Sequence, residues 1–108
     1  MKIAVASVGS ESGSTVEERF GRAPYFVIHD TDSSAYTCLT NTGNAAAAHG
    51  AGTGTAQAII SHKVDVVVAG RFGPKAEAVL SAAGIKMLAW SQGTVEQAVK
   101  VALSQNVG

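Results

Sequence analysis

The chain has 108 residues, 46% of them hydrophobic, which is enough for one domain with one buried core. Its formal net charge is zero, which argues against a nucleic-acid binder that relies on a general basic field. No apolar run reaches the ~18 residues that a membrane span needs, and the single cysteine, Cys38, excludes an internal disulfide and any multi-cysteine zinc or iron–sulfur site, in keeping with a reducing cytoplasm.

In chain order, KIAVAS (residues 2–7) reads as a buried strand, its apolar part being too short for a signal peptide. A Gly/Ser loop follows over residues 8–14. Ser14 and Thr15 precede Glu17 and Glu18 at capping-box spacing, so a short helical turn is expected to about Phe20, stopped by Gly21 and Pro24. YFVIHD (25–30) and AYTCLT (35–40) are strands joined by a polar turn, an antiparallel hairpin. Residues 41–55, NTGNAAAAHGAGTGT, carry four glycines, one histidine and no charge; they are expected to form a long loop leading into a helix over residues 55–62. VDVVVA (64–69) is nearly continuous in β-branched residues and is placed inside the sheet. Pro74 suits a first helical position, Ala76, Val79, Leu80 and Ala83 continue that helix, and Gly84 ends it. IKMLAW (85–90) is a fifth strand. Thr94 and Gln97 make a second capping box, after which Val95, Ala98, Val99 and Ala102 line one helical face. Together these predict an α/β three-layer sandwich: one five-stranded mixed sheet with helices on both faces, as one domain over residues 1–108.

Ligands of open α/β sheets bind outside the carboxyl ends of the parallel strands. The loops 8–14, 70–74 and 91–93 are expected to meet there, joined by the amino-terminal end of the helix that follows the long loop. Glycines recur in all of them. The run His49-Gly50-Ala51-Gly52-Thr53-Gly54-Thr55 lets main chain approach a ligand without Cβ clashes, and first-turn amides attract anions. It is neither a Walker loop nor a dinucleotide fingerprint. Added positive charge is needed to hold an anion, and the candidates are Arg71 and Lys75, which flank Gly73-Pro74, and Arg22, which follows Phe20-Gly21. His49 is the candidate metal ligand, since nothing about packing calls for an imidazole there. His29 reads as a structural strand residue, His62 as a helix C-cap, and Cys38 as a small buried hydrophobe with a lesser claim to be a copper-ligating thiolate.

Catalytic constellations are missing. Asp30, Asp32 and Asp65 are scattered, and no serine sits in a Gly-x-Ser-x-Gly elbow. The first strand carries no acidic residue, against a two-metal nuclease site. The chain reads as a non-enzyme.

MKIAVAS, VEERFGRAPYFVIHD, the His-Gly loop and VDVVVAGRFGPKAEAVLSAAGIK together resemble the dinitrogenase iron–molybdenum cofactor biosynthesis family, most distinctively in FGRAPYF (20–26) and GRFGP (70–74). The resemblance implies a ribonuclease H-like fold without nuclease residues. It places the chain closest to the stand-alone, single-domain branch. It also implies a molybdenum–copper sulfide cluster, or a related molybdenum or iron–sulfur species, held without covalent attachment. With one cysteine, the protein would rely on a guest that brings its own sulfide, gripped by Arg22, His49, Gly50, Gly52, Gly54, Arg71, Gly73 and Lys75. The alternative reading is a sensor of a small oxyanion or nucleotide. Neither reading involves nucleic acid as a polymer partner or a membrane.

Overall fold

The computed structural model describes residues 1–105; the last three residues of the expected domain lie outside the described residues. The strands are β1 (Lys2–Ser7), β2 (Tyr25–Asp30), β3 (Tyr36–Thr40), β4 (Val66–Ala69) and β5 (Lys86–Ala89). The helices are α1 (Thr42–Ala45), α2 (Ala51–Ser61), α3 (Pro74–Ala82) and α4 (Val95–Gln105), with a 3-10 turn at Phe20–Arg22. The sheet order is β3-β2-β1-β4-β5. β1, β4 and β5 run parallel, and β2 runs antiparallel to both β1 and β3. This is the expected five-stranded mixed sheet.

Alternation along β1 divides the core in two. Ile3 and Val5 face α4, where Val95, Ala98, Val99 and Ala102 cover them. Ala4 and Ala6 face the opposite way, toward Ala56 and Ile59 of α2 and Ala76 and Leu80 of α3. The small alanines on that side make room for Phe20 and Phe26, both almost wholly buried and packed edge to face with ring centroids 5.4 Å apart. Burying each such ring contributes about 1.5–3 kcal/mol. The α4 capping box forms as its spacing predicts: the Thr94 amide donates to Gln97 Oε1 at 2.9 Å, and the Gln97 amide donates to Thr94 Oγ1 at 3.4 Å.

Two segments differ from the sequence expectation. Residues 14–19 form no helical turn, and the only one nearby is the 3-10 turn that starts at Phe20. They run as an extended strap across the carboxyl edge of the sheet, bridged at Ser7↔Val16, Thr15↔Thr94 and Arg19↔Arg71. The Glu17 amide donates to the Ala6 carbonyl, the Val16 amide to Gly93 and the Arg71 amide to Glu18. A capping box offers a helix end two local bonds, whereas the strap satisfies a whole row of main-chain groups at otherwise open strand ends.

The second difference is the long loop. Residues 42–45 form α1, and α2 begins at Ala51, so Gly52 and Gly54 are helical and only residues 46–50 connect. Gly50, with φ of 73°, is the left-handed residue that admits the chain to α2. Glycine costs a helix interior about 1 kcal/mol relative to alanine. Here tertiary contact overrides that cost. A Cβ at Gly54 would strike the Asn44 side chain, and Gly21 lies so close that its Cβ would stand 3.0 Å from the Gly52 nitrogen and Cα.

Candidate functional site

The strap and the two helix starts leave a cavity of about 630 Å³, within the range of small-ligand sites. Three segments line it: residues 19–22 from the strap and 3-10 turn, residues 50–53 at the start of α2, and residues 71–76 at the start of α3. Its walls are apolar at Phe20, Ala51, Phe72, Pro74 and Ala76. Arg19, Arg22, Arg71 and Lys75 add positive charge, and among the described residues no acidic one lines it. These include all three arginines of the chain and half of its eight Lys and Arg residues. Among the described residues none of the four forms an ion pair with a carboxylate.

The helix starts differ in a way that singles this cavity out. At α4 the Val95 and Glu96 amides donate to the Ser14 and Ser12 carbonyls at 2.9 and 3.0 Å, and the capping box completes the seal. At α2 and α3 the N-caps are Gly50 and Gly73, and no side chain caps either helix. An α-helix begins with amides that have no partner within the helix. At these two ends they are left for an occupant of the cavity, and both macrodipoles favour negative charge there.

The cavity brings together six of the eight residues singled out in the sequence: Arg22, Gly50, Gly52, Arg71, Gly73 and Lys75. Arg22 has a second commitment, since its Nη1 donates to the carbonyls of Ala45 and Ala47, each at 2.9 Å, and so anchors the end of α1 beside the site. His49 and Gly54 are not in the lining. His49 is exposed, and Gly54 packs against Asn44. Behind the wall, buried Asn41 donates from Nδ2 to the Ala23 carbonyl at 2.9 Å and to Thr55 Oγ1 at 3.0 Å, tying α2 to the 3-10 turn.

The expected meeting of all the sheet-edge loops is corrected. Loops 8–14 and 91–93 do meet, but at the start of α4, where the Ser12 and Ser14 carbonyls seal that helix and the Gly93 carbonyl accepts the Val16 amide of the strap. Only loop 70–74 reaches the cavity. Cys38 is also corrected. It is exposed on edge strand β3, away from the cavity, and what burial it has raises its thiol pKa, so it is less of a thiolate than an ordinary cysteine. His62 caps α2 as expected, its Nδ1 lying 2.9 Å from the Ala58 carbonyl. Among the described residues no three of His, Cys, Asp or Glu converge as a metal site.

Arg19 and Phe72 complete the site without having been foreseen. The missed signal is a repeat: Arg-Phe-Gly occurs at residues 19–21 and again at 71–73. The two copies lie side by side, with Arg19 and Arg71 in parallel bridge register and the rings of Phe20 and Phe72 5.2 Å apart.

A model of the dinitrogenase iron–molybdenum cofactor family matches residues 1–105. The chain belongs to this family. Among solved structures it is similar to the apo form of the orange protein from Desulfovibrio gigas, at 37% identity, over 96% of this chain and 88% of that one, with a TM-score of 0.92. It is also similar to a NifB-type protein from Thermotoga solved by NMR, at 38% identity, over 96% of this chain and 87% of that one, with a TM-score of 0.82. A search of curated proteins finds no match. Membership in the iron–molybdenum cofactor family supports a cofactor-binding role, and no described helix is long and apolar enough to cross a membrane.

Proposed function

We propose that this chain is a non-catalytic carrier of an anionic metal–sulfur species, a molybdenum sulfide with or without copper, held in the cavity without covalent bonds. The observation that carries this reading is the pairing of four cations free of carboxylate partners with two helix starts that no side chain caps, around one hollow. A guest that arrives with its own sulfide needs amide donors, cations and a fitted wall. Guanidinium suits it because it is weakly hydrated, so cheap to desolvate, and offers several N–H donors in one fork. Phe20, Phe72 and Pro74 supply apolar wall against polarisable sulfur. The dispersal of His, Cys, Asp and Glu among the described residues also favours a preassembled guest over a cluster built on protein ligands. Family membership and the likeness to the orange protein point the same way. Within this reading Arg22, Arg71, Lys75 and the glycines at 50, 52 and 73 hold the guest. Gly54 acts through packing, and His49 stands at the exposed approach, where a soft metal on the guest would find its imidazole.

The test is reconstitution with tetrathiomolybdate, with and without copper, followed by gel filtration. The expected outcome is metal co-eluting with protein in fixed stoichiometry, with a visible absorption band. A chain that stays colourless and metal-free, yet melts at higher temperature with phosphate or nucleotides, would instead favour the oxyanion-sensor reading, for which uncapped helix starts are equally suited.

A further inference from the structure

The twin Arg-Phe-Gly triplets carry an inference about which guests the cavity admits; it rests on the reading of this cavity as the ligand site. The triplets are fixed by main-chain bonds on either side of Arg71: its amide donates to the Glu18 carbonyl at 2.7 Å, and the Phe20 amide donates to its own carbonyl at 3.1 Å. Strands so paired are about 4.8 Å apart, with side chains of bridged residues on the same side. Both Arg19 and Arg71 line the cavity. Each triplet then delivers its glycine to a helix start: Gly21 lies against Gly52 in the first turn of α2, and Gly73 is the N-cap of α3.

Two arginines in adjacent register repel, and like charges in facing positions weaken a sheet. Among the described residues neither arginine forms an ion pair with a carboxylate. The carboxylates next to Arg19 in sequence take neutral donors instead: Glu17 Oε2 accepts the Arg19 main-chain amide at 2.9 Å, and Glu18 Oε2 accepts Ser91 Oγ at 2.6 Å. Packing alone does not call for the arrangement, since one arginine and one neutral residue would pair as well. An anion that presents two acceptor edges would bind both guanidiniums and remove the repulsion. A singly charged ion would leave part of the repulsion in place.

We propose that Arg19 and Arg71 form a two-guanidinium clamp that sets a minimum charge on the guest, selecting anions of charge two or more over singly charged ions of the same shape. The probe ions are tetrathiomolybdate, a dianion, and tetrathiorhenate, a monoanion of nearly the same shape. Wild type is expected to bind the dianion at least about 10-fold more tightly. Arg19→Gln and Arg71→Gln each lose about 10- to 100-fold in dianion affinity and most of the preference. Arg19→Lys keeps the preference at reduced affinity, because the charge stays and the planar fork goes. Without ligand, Arg19→Gln melts at or above the wild-type temperature, a result that a merely structural role for Arg19 would reverse. If wild type binds the dianion but Arg19→Gln retains full discrimination, the clamp is overturned and the ligand site stands. If wild type binds neither ion, both fall together.

Discussion

At the scale of single residues, Gly21 shows how closely the site is built. Its missing side chain lets the 3-10 turn rest on the main chain of α2, and backbone on the far side cannot turn away as a flexible side chain could. Gly21→Ala is expected to destabilise the fold by about 1–3 kcal/mol, the range for overpacking, measured by urea denaturation. A drop in ligand affinity should accompany it, because the same shift moves the first turn of α2. Gly54 is different in kind. Its neighbour is the Asn44 side chain, which has freedom to turn. Arg19 was legible in principle, since its triplet recurs at Arg71, but a three-residue identity has meaning only once the fold sets the copies side by side.

Among the elements, those with unbroken apolar runs or clear helical spacing were readable from sequence. β1, β4 and the covered face of α4 follow directly from KIAVAS, VVVA and the Val95, Ala98, Val99, Ala102 spacing. The strap and the start of α2 were not readable, for opposite reasons. Residues 14–19 carry a local helix signal that loses to long-range main-chain pairing, and residues 51–54 carry an anti-helix signal that loses to close packing. The cationic loop 70–74 was placed at the site by its position after a parallel strand, whereas separating it from loops 8–14 and 91–93 required knowing which helix starts are sealed. The brace behind the cavity is an element-level device, joining α2 to the 3-10 turn through Asn41. Asn41→Ala leaves the Thr55 hydroxyl and Ala23 carbonyl without their buried partner. It should cost about 1–3 kcal/mol in stability, read as a lowered urea midpoint with an unchanged m-value.

For the molecule as a whole, neutrality and a cationic cavity are reconciled by placement. The chain has as many acids as bases, yet four of its eight Lys and Arg residues surround one hollow that has no acid in its lining among the described residues. Steering of an anion should therefore be local and strongly screened. Raising salt from about 0.01 M to about 1 M shortens the Debye length from ~30 Å to ~3 Å. Over that range tetrathiomolybdate affinity should fall by about 10-fold or more, measured by equilibrium dialysis, while the melting temperature of the ligand-free chain changes little.

The contrast between the closed start of α4 and the open starts of α2 and α3 reaches beyond recognition. An anionic guest of the kind proposed would give acceptors to the first-turn amides of α2 and α3 and a counter-charge to the bridged pair Arg19 and Arg71. Loading would then double as reinforcement, and filled copies would outlast empty ones wherever heat or proteases sample the unfolded chain.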